Sequence, residues 1–222
     1  MDSSSVFTGI ILILLLTIFL ISFLWYRGRS RSEHELNEAY KKMEKLSKYD
    51  PLTQLCNKNS MMDRIEIEMI RMGRTWRPFC LVMIDVDNFR QINDEFGRDC
   101  GDKILESLAL ILIKTLRKQD TASRWDGEEF LLLLPETSMD GGYIIAEKIR
   151  ESVESTKVTY GDITMDFTIT LGVDIYDRLG PVNFNIRKAA VALFEGIQRG
   201  RNTVVRSNDP DLDLSKYSES LQ

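Results

Sequence analysis

The stretch that decides the fold reads Arg124-Trp125-Asp126-Gly127-Glu128-Glu129-Phe130, and an apolar run at 131–134 follows it. Asp-Gly between two apolar runs is typical of a two-residue hairpin turn, which is the plain structural interpretation. The functional interpretation starts from Asp85-Val86-Asp87, which ends an earlier apolar run at 79–84 and brings further carboxylates to the same sheet edge. Because Mg²⁺ prefers a few carboxylates plus substrate phosphates, this arrangement predicts a hard-cation site.

Local alternatives accompany each of these motifs. Asp85 and Asp87 are also placed to cap the helix that follows them, since negative charge is favoured in a first turn. The segment from Asn93 to Asp102 also fits a helix that Gly97 stops, followed by a loop and a new helix near Gly101.

Composition limits the class of protein. The 222 residues are 43% hydrophobic and carry a net charge of -5, so the chain can bury one sizeable core and gives no support for broad nucleic-acid binding. Cys56, Cys80 and Cys100 lack paired or metal-ligand spacing, so we expect free thiols in a reducing compartment.

Residues 6–26 form 21 nearly continuous apolar positions without a charge, enough to span a hydrocarbon core of roughly 30 Å. A cleaved signal peptide is the alternative, but its apolar region is normally about 7–15 residues long. Arg27, Arg29 and Arg31 follow the span, so the positive-inside rule predicts a single-pass anchor in the inner membrane, with residues 1–5 outside and the rest in the cytoplasm.

The segment 27–48 is predicted to be a helical linker. Leu36, Ala39, Met43 and Leu46 form an apolar seam with 3-4-3 spacing, which favours a short parallel coiled coil; a single solvated helix is the alternative. We expect the input signal to come through a membrane sensor partner, oligomerisation or the domain's own ligand.

The globular part is predicted to start at about residue 49, where Pro51 interrupts the helix and Thr53 caps the next one. Alternating patterns predict one mostly antiparallel sheet flanked by helices, with a ferredoxin-like βαββαβ core. The expected helices are 58–73, 88–96, 101–117, 139–155 and 184–199. The expected strands are 79–85, a hairpin of 121–125 and 130–135, a pair of 162–167 and 168–176, and 202–206. Residues 207–222 read as a disordered acidic tail.

Five blocks of sequence occur in a specific order and spacing. They are Asp50-Pro51-Leu52-Thr53-Gln54-Leu55-Cys56-Asn57; 85–94 with Gly97 and Gly101-Asp102; Arg124 to Phe130; Leu171-Gly172-Val173; and Gly200-Arg201-Asn202. Together they closely resemble the GGDEF domain family of diguanylate cyclases, over residues 49–206. The resemblance implies a palm-like α+β fold and the joining of two GTP molecules into cyclic di-GMP across a symmetric homodimer.

The resemblance also implies roles for individual residues. Asp85, the main-chain carbonyl of Val86 and Glu128 would hold Mg²⁺ or Mn²⁺, and Glu128 would help deprotonate the attacking 3'-hydroxyl. The other implied substrate contacts are Asn93 and Asp102 to guanine, Arg201 and Gly127 to phosphate, and the backbone of Asn88, Phe89 and Arg90 around the triphosphate.

Two departures from the family pattern bear on catalysis. Asp126 stands where the family has the first turn glycine, and adds bulk and negative charge beside a polyanion. Ile197 stands where the family has a lysine that serves as a cation for the triphosphate. Ala190, where the family often has Asp, is a less consequential departure.

Arg117-Lys118-Gln119-Asp120 lies at the offset of the family's RxxD inhibitory site, which binds cyclic di-GMP. An arginine fork suits a phosphodiester, and Asp120 can accept from guanine. The alternative is an ordinary surface pair at helical spacing. Lys148 or Arg150 would complete the site, and the sequence does not choose between them.

Three functions follow as hypotheses. The first is a membrane-anchored GGDEF protein whose cyclase activity is weak or lost, because of Asp126 and Ile197. The second is an active diguanylate cyclase that tolerates Asp126. The third is a non-enzymatic receptor or scaffold that binds cyclic di-GMP through Arg117 and Asp120, or GTP through the site at Asp85.

Overall fold

The computed structural model describes Leu16, Leu20 and residues 48–178 and 180–212. The chain divides into two compact units, Met1–Ser47 and Lys48–Gln222, and the architecture below is that of the second. The predicted membrane helix and linker lie outside the described residues, apart from Leu16, Leu20 and Lys48. Among the described helices, we find none with the length and apolar character that a bilayer crossing requires.

Helices and strands alternate along the second unit. The described helices are α1 (Lys58–Thr75), α2 (Phe89–Phe96), α3 (Arg98–Thr115), α4 (Met139–Glu154) and α5 (Val182–Gln198). The described strands are β1 (Cys56–Asn57), β2 (Phe79–Val86), β3 (Thr121–Asp126), β4 (Glu129–Leu134), β5 (Lys157–Tyr160), β6 (Ile163–Asp166), β7 (Ile169–Tyr176) and β8 (Val204–Arg206).

Six strands form one mixed sheet in the order β1-β3-β4-β2-β7-β8. The outer pairs β1/β3 and β7/β8 are parallel, and the three inner pairs are antiparallel. The inner strands β3-β4-β2-β7, with the helices between them, have the predicted βαββαβ connectivity. The predicted α+β class is therefore confirmed, and the sheet is mixed.

Both faces of the sheet are covered, which explains why its central strands read as continuous apolar runs. On β2, Cys80, Val82 and Ile84 face a core under α3 and α4, while Leu81 and Met83 face a second core under α1 and α5. Cys56, Cys80 and Cys100 are buried free thiols, as predicted.

A separate hairpin corrects the predicted pairing of 162–167 with 168–176. Strand β6 pairs with β5, which the sequence reading missed, and not with β7. Gly161, at φ 58°, and Asp162 form the two-residue connection. Val158 and Met165 are the buried residues of this hairpin. The pairing of β5 with β6 places both side chains in the core under α3 and α4.

Three boundaries differ from the prediction. Asn57 caps α1 by accepting from the Ser60 amide at 2.9 Å, whereas the buried Thr53 hydroxyl donates to Asp50. Helix α3 starts at Arg98, before Gly101. Residues 207–212 belong to the folded domain: Ser207 donates to buried Asp174, and Leu212 packs against α5 and β8. The rest of the predicted tail lies outside the described residues.

Candidate functional site

The site is built where β2 ends and β4 begins. Asp85 and Glu129 are direct partners across these antiparallel strands, so both side chains lie on the face covered by α1 and α5. The β3–β4 turn brings Glu128 to the same edge. The structure thus brings together the two predicted metal-binding carboxylates, Asp85 and Glu128, and adds Glu129.

The hairpin turn lies one residue later than the Asp126-Gly127 turn expected from sequence. Its two central residues are Gly127, at φ 49°, and Glu128, and Asp126 is the last residue of β3, opposite Glu129. The register shifts between Arg124 and Asp126, which inserts Trp125 as an extra residue. This bulge brings Asp126 opposite Glu129, so the turn closes on Gly127 and Glu128.

Burial and neighbouring negative charge both act on the carboxyls at this edge. Burial, then Glu128 and Glu129, raise the pKa of Asp85 to about 7, and Arg201 opposes the rise. Burial, then Asp126 and Glu128, also raise the pKa of Glu129, which Lys58 opposes. Such a cluster favours either a bound proton or a bound cation.

The donor set suits a cation shared with a ligand. Within residues 48–178 and 180–212, no three His, Cys, Asp or Glu side chains form a complete metal site. Asp85, Glu128 and the Val86 carbonyl would hold a cation at the strand end and would leave positions on it for phosphate and water. That is the usual arrangement for Mg²⁺ in proteins that bind nucleotides.

Arg124 ties the β3–β4 turn to the segment at Asp50. Its Nε donates to the Gly127 carbonyl at 2.8 Å, and its Nη1 lies 3.4 Å from both carboxylate oxygens of Asp50. Asp50 in turn accepts from the amide and hydroxyl of Thr53. Sequence reasoning noted both blocks without predicting this contact between them.

Asp87 is a buried anchor, and the expectation that it caps α2 is wrong. Its carboxylate accepts from the hydroxyls of Thr168 and Thr170, each at 2.6 Å, and from the Asn202 amide at 3.0 Å. Asn88 is the residue that precedes α2, at φ 55°, without a side-chain cap bond. Asp87 therefore joins β2, β7 and the 200–202 loop.

Helices α2 and α3 bring the predicted guanine-reading residues close together. Asn93 lies directly against Gly101, since a Cβ on that glycine would meet its Oδ1 at 2.0 Å. Asp102 follows Gly101 and is exposed. At the start of α2, Asn88 and Arg90 are exposed, whereas Phe89 packs on the core.

The α5 end carries the remaining substrate-site residues. Arg201, at φ 70°, follows the helix, and its charge acts on Asp85. Ile197 and Ala190 are partly buried and pack on the core under α1 and α5. Ile197 thus contributes packing at the position where the resemblance implies a cation.

The RxxD residues form a turn beyond α3. The Arg117 amide donates to Asp120 Oδ2 at 2.9 Å, and the Asp120 amide donates to the Arg117 carbonyl at 3.0 Å. The pair is therefore not a surface pair on a helix. Asp120 Oδ1 is buried without a hydrogen-bond partner among the described residues, and burial raises the pKa of this carboxyl against the effect of Arg117.

The two candidates for completing that site have different surroundings. Lys148 is exposed on α4. Arg150 donates to Glu147 at 2.8 Å, to Glu154 at 2.9 Å and to Asn202 at 3.0 Å. Arg150 is thus bound within the network that holds the 200–202 loop.

Comparison with known proteins agrees with this geometry. The family profile described as "Diguanylate cyclase, GGDEF domain" matches residues 47–203. Diguanylate cyclase A of Treponema denticola is 39% identical over 138 residues, which are 62% of this chain and 37% of that protein. Diguanylate cyclase DgcP of Pseudomonas aeruginosa is 33% identical over 153 residues, 69% of this chain and 23% of that protein. The chain therefore spans less than half the length of these relatives.

Solved structures show the same fold. Diguanylate cyclase SiaD of Pseudomonas aeruginosa, in complex with its activator SiaC, has a TM-score of 0.70 at 29% identity, covering 91% of this chain and 82% of that one. The active GGEEF domain of a Vibrio cholerae diguanylate cyclase has a TM-score of 0.66 at 27% identity, covering 70% and 99%. The chain belongs to the GGDEF family, and residues 47–203 form a diguanylate cyclase-like domain of cyclic di-GMP signalling.

Proposed function

We propose that this chain is a membrane-anchored GGDEF protein whose cyclase activity is weak or lost, while its nucleotide-binding surfaces are kept. The observation that carries this proposal is the position of Asp126 directly opposite Glu129, where its charge adds to that of Asp85 and Glu128. Ile197 is uncharged, so it supplies no compensating cation, and its side chain packs on the core under α1 and α5.

The substrate-binding roles follow from the chain's own residues. Asp102 accepts hydrogen bonds from guanine beside the Asn93 amide, and Arg201 contacts phosphate from the loop that Asp87 holds. Asp85, Val86 and Glu128 would hold Mg²⁺ or Mn²⁺, which offsets charge on the triphosphate when bound. Glu128 accepts the proton of the attacking 3'-hydroxyl in a homodimer of two GTP-bound domains.

Asp126 and Ile197 both weaken binding of the GTP triphosphate. Asp126 adds a negative charge beside it, and Ile197 lacks the positive charge that a lysine would supply. At about 1–3 kcal/mol each, the two would lower turnover by roughly one to four decades.

The test is production of cyclic di-GMP by the purified full chain with GTP and Mg²⁺ or Mn²⁺. We expect little or no product, together with saturable GTP binding by calorimetry. Robust turnover would reject the loss of activity and establish the alternative, an active cyclase that tolerates Asp126. Absence of GTP binding would reject the proposed nucleotide site.

A receptor role is the second candidate, and it is favoured by Asp120 Oδ1, which is buried and has no hydrogen-bond partner within the described part of the chain. A guanine N–H donor would satisfy that oxygen, and the exposed Arg117 guanidinium would pair with a phosphodiester. Calorimetry with cyclic di-GMP should show binding that Arg117→Ala removes and that the adjacent control Lys118→Ala keeps. Equal binding by both variants would reject this site.

Anchoring by residues 6–26, with the GGDEF domain in the cytoplasm, is part of the proposal because of their continuous apolar character. Cell fractionation tests it. The full chain should stay with the membrane pellet after alkaline carbonate extraction, and replacing Leu14 and Leu15 with Arg should release it. Release of the unaltered chain would contradict anchoring.

A further inference from the structure

A cavity of about 470 Å³ opens between α1 and α5, and it shares Glu129 with the acidic edge described above. Its polar lining consists of Lys58, Trp125, Glu129, Asn183 and Arg187. The cavity is large enough for a small-molecule ligand.

The two cations of this lining differ in their surroundings. Lys58 Nζ lies 4.5 Å from the centroid of the Trp125 ring, and its charge acts on Glu129. Arg187 has neither an ion pair nor a side-chain hydrogen bond among the described residues, and its Nε is buried without a partner. A buried N–H donor is normally paired, so Arg187 is the group that points to a missing acceptor.

The charge of the cavity lining and its apolar side chains indicate which kind of ligand would pair with Arg187. Two cations and one carboxylate give the lining a net charge of +1, which suits a monoanion better than a phosphate dianion. Met62, Met83 and Ile186 supply apolar surface beside these groups. An anion with an apolar body matches both features.

We propose that this cavity binds a small organic carboxylate, which pairs with the Arg187 guanidinium and places its apolar body against the methionine-lined wall. The bidentate fork of arginine fits a carboxylate group. Ala190, one helical turn after Arg187, also lines the cavity and leaves room there.

The test uses sodium benzoate as the probe and saturation-transfer NMR on the purified full chain. We expect saturable binding, weakened at least tenfold by Arg187→Met. Ala190→Asp should weaken it equally, because a carboxylate three residues after Arg187 would pair with it internally. Arg199→Met is the matched control: it makes the same change at the residue that follows α5, outside the cavity lining, and should bind like the unaltered chain.

Each other outcome would overturn the proposal. These are no saturable binding by the unaltered chain, undiminished binding by the Arg187 or the Ala190 variant, the same loss in the control, or tighter binding of inorganic phosphate than of benzoate. Circular dichroism establishes that each variant is folded, and the measurement needs no GTP, so its result is independent of the proposed activity.

Discussion

Asp85 and Glu129 face each other directly across β2 and β4, and burial together with the charge of Glu129 raises the pKa of the Asp85 carboxyl. The folded-state pKa of Asp85, about 7, lies above its ordinary value of 3.8. Between about pH 4 and pH 7 the folded chain keeps a proton that the unfolded chain releases. The unfolding free energy should therefore fall as pH rises through this window.

Urea denaturation of the full chain at pH 5 and pH 7.5 measures this fall. Asp85→Asn should reduce the difference, and the exposed control Asp162→Asn should leave it unchanged. Mg²⁺ should restore stability at pH 7.5 in the unaltered chain, because a bound cation favours the ionised carboxylates. An equal pH dependence in both variants would contradict the assignment to Asp85.

Asp126→Gly combined with Ile197→Lys should raise cyclic di-GMP production by roughly tenfold or more, because the double change removes a negative charge and adds a positive charge beside the GTP triphosphate. Each single change should give a smaller gain. Initial rates with GTP and Mg²⁺ measure the effect, with Asp162→Gly as a surface control. Unchanged turnover in the double variant would show that these two positions do not limit the reaction.

Arg124→Met should loosen the hairpin that carries Glu128. It removes the bonds from Arg124 to the Gly127 carbonyl and to Asp50, and should lower the unfolding free energy by about 1 kcal/mol. Hydrogen exchange at the Glu128 amide should become faster, whereas Lys118→Met should leave it unchanged. If exchange at the Glu128 amide stays slow in the Arg124 variant, the turn is stable without the Arg124 contacts.

Gly172→Ala should destabilise the domain by about 3 kcal/mol or more, since a Cβ there would lie 2.0 Å from the Ala189 carbonyl oxygen and 2.3 Å from the Leu193 nitrogen. Helix α5 would have to move away from β7. Gly73→Ala is the matched control: it has open space in α1 and should stabilise by about 0.5–1 kcal/mol. Equal effects in chemical denaturation would rule out close packing as the reason for Gly172.

The sequence predicted the elements whose pattern is strong over many residues. Strands β2 and β7 and helices α1, α4 and α5 lie close to their expected positions, because a continuous apolar run or a 3.6-residue period identifies each. Strands β1 and β5, with two and four residues, carry too little pattern to be recognised.

The sequence predicted that carboxylates from two segments meet at one edge of the sheet, but it did not predict the geometry of that edge. The order of carboxylates along the chain placed Asp85 and Glu128 together, but the bulge at Trp125 moved the turn, and no local pattern announces a bulge. Asp87 was misread because its partners Thr170 and Asn202 lie 83 and 115 residues away. Only the folded chain brings such partners within reach.

The side chain of Arg124 contacts both Asp50, at the start of the domain, and Gly127, in the β3–β4 turn. One guanidinium therefore ties the position of Asp50 to the turn that carries Glu128. We expect a displacement of the chain at Asp50 to shift the Gly127 carbonyl, beside Glu128, through this side chain.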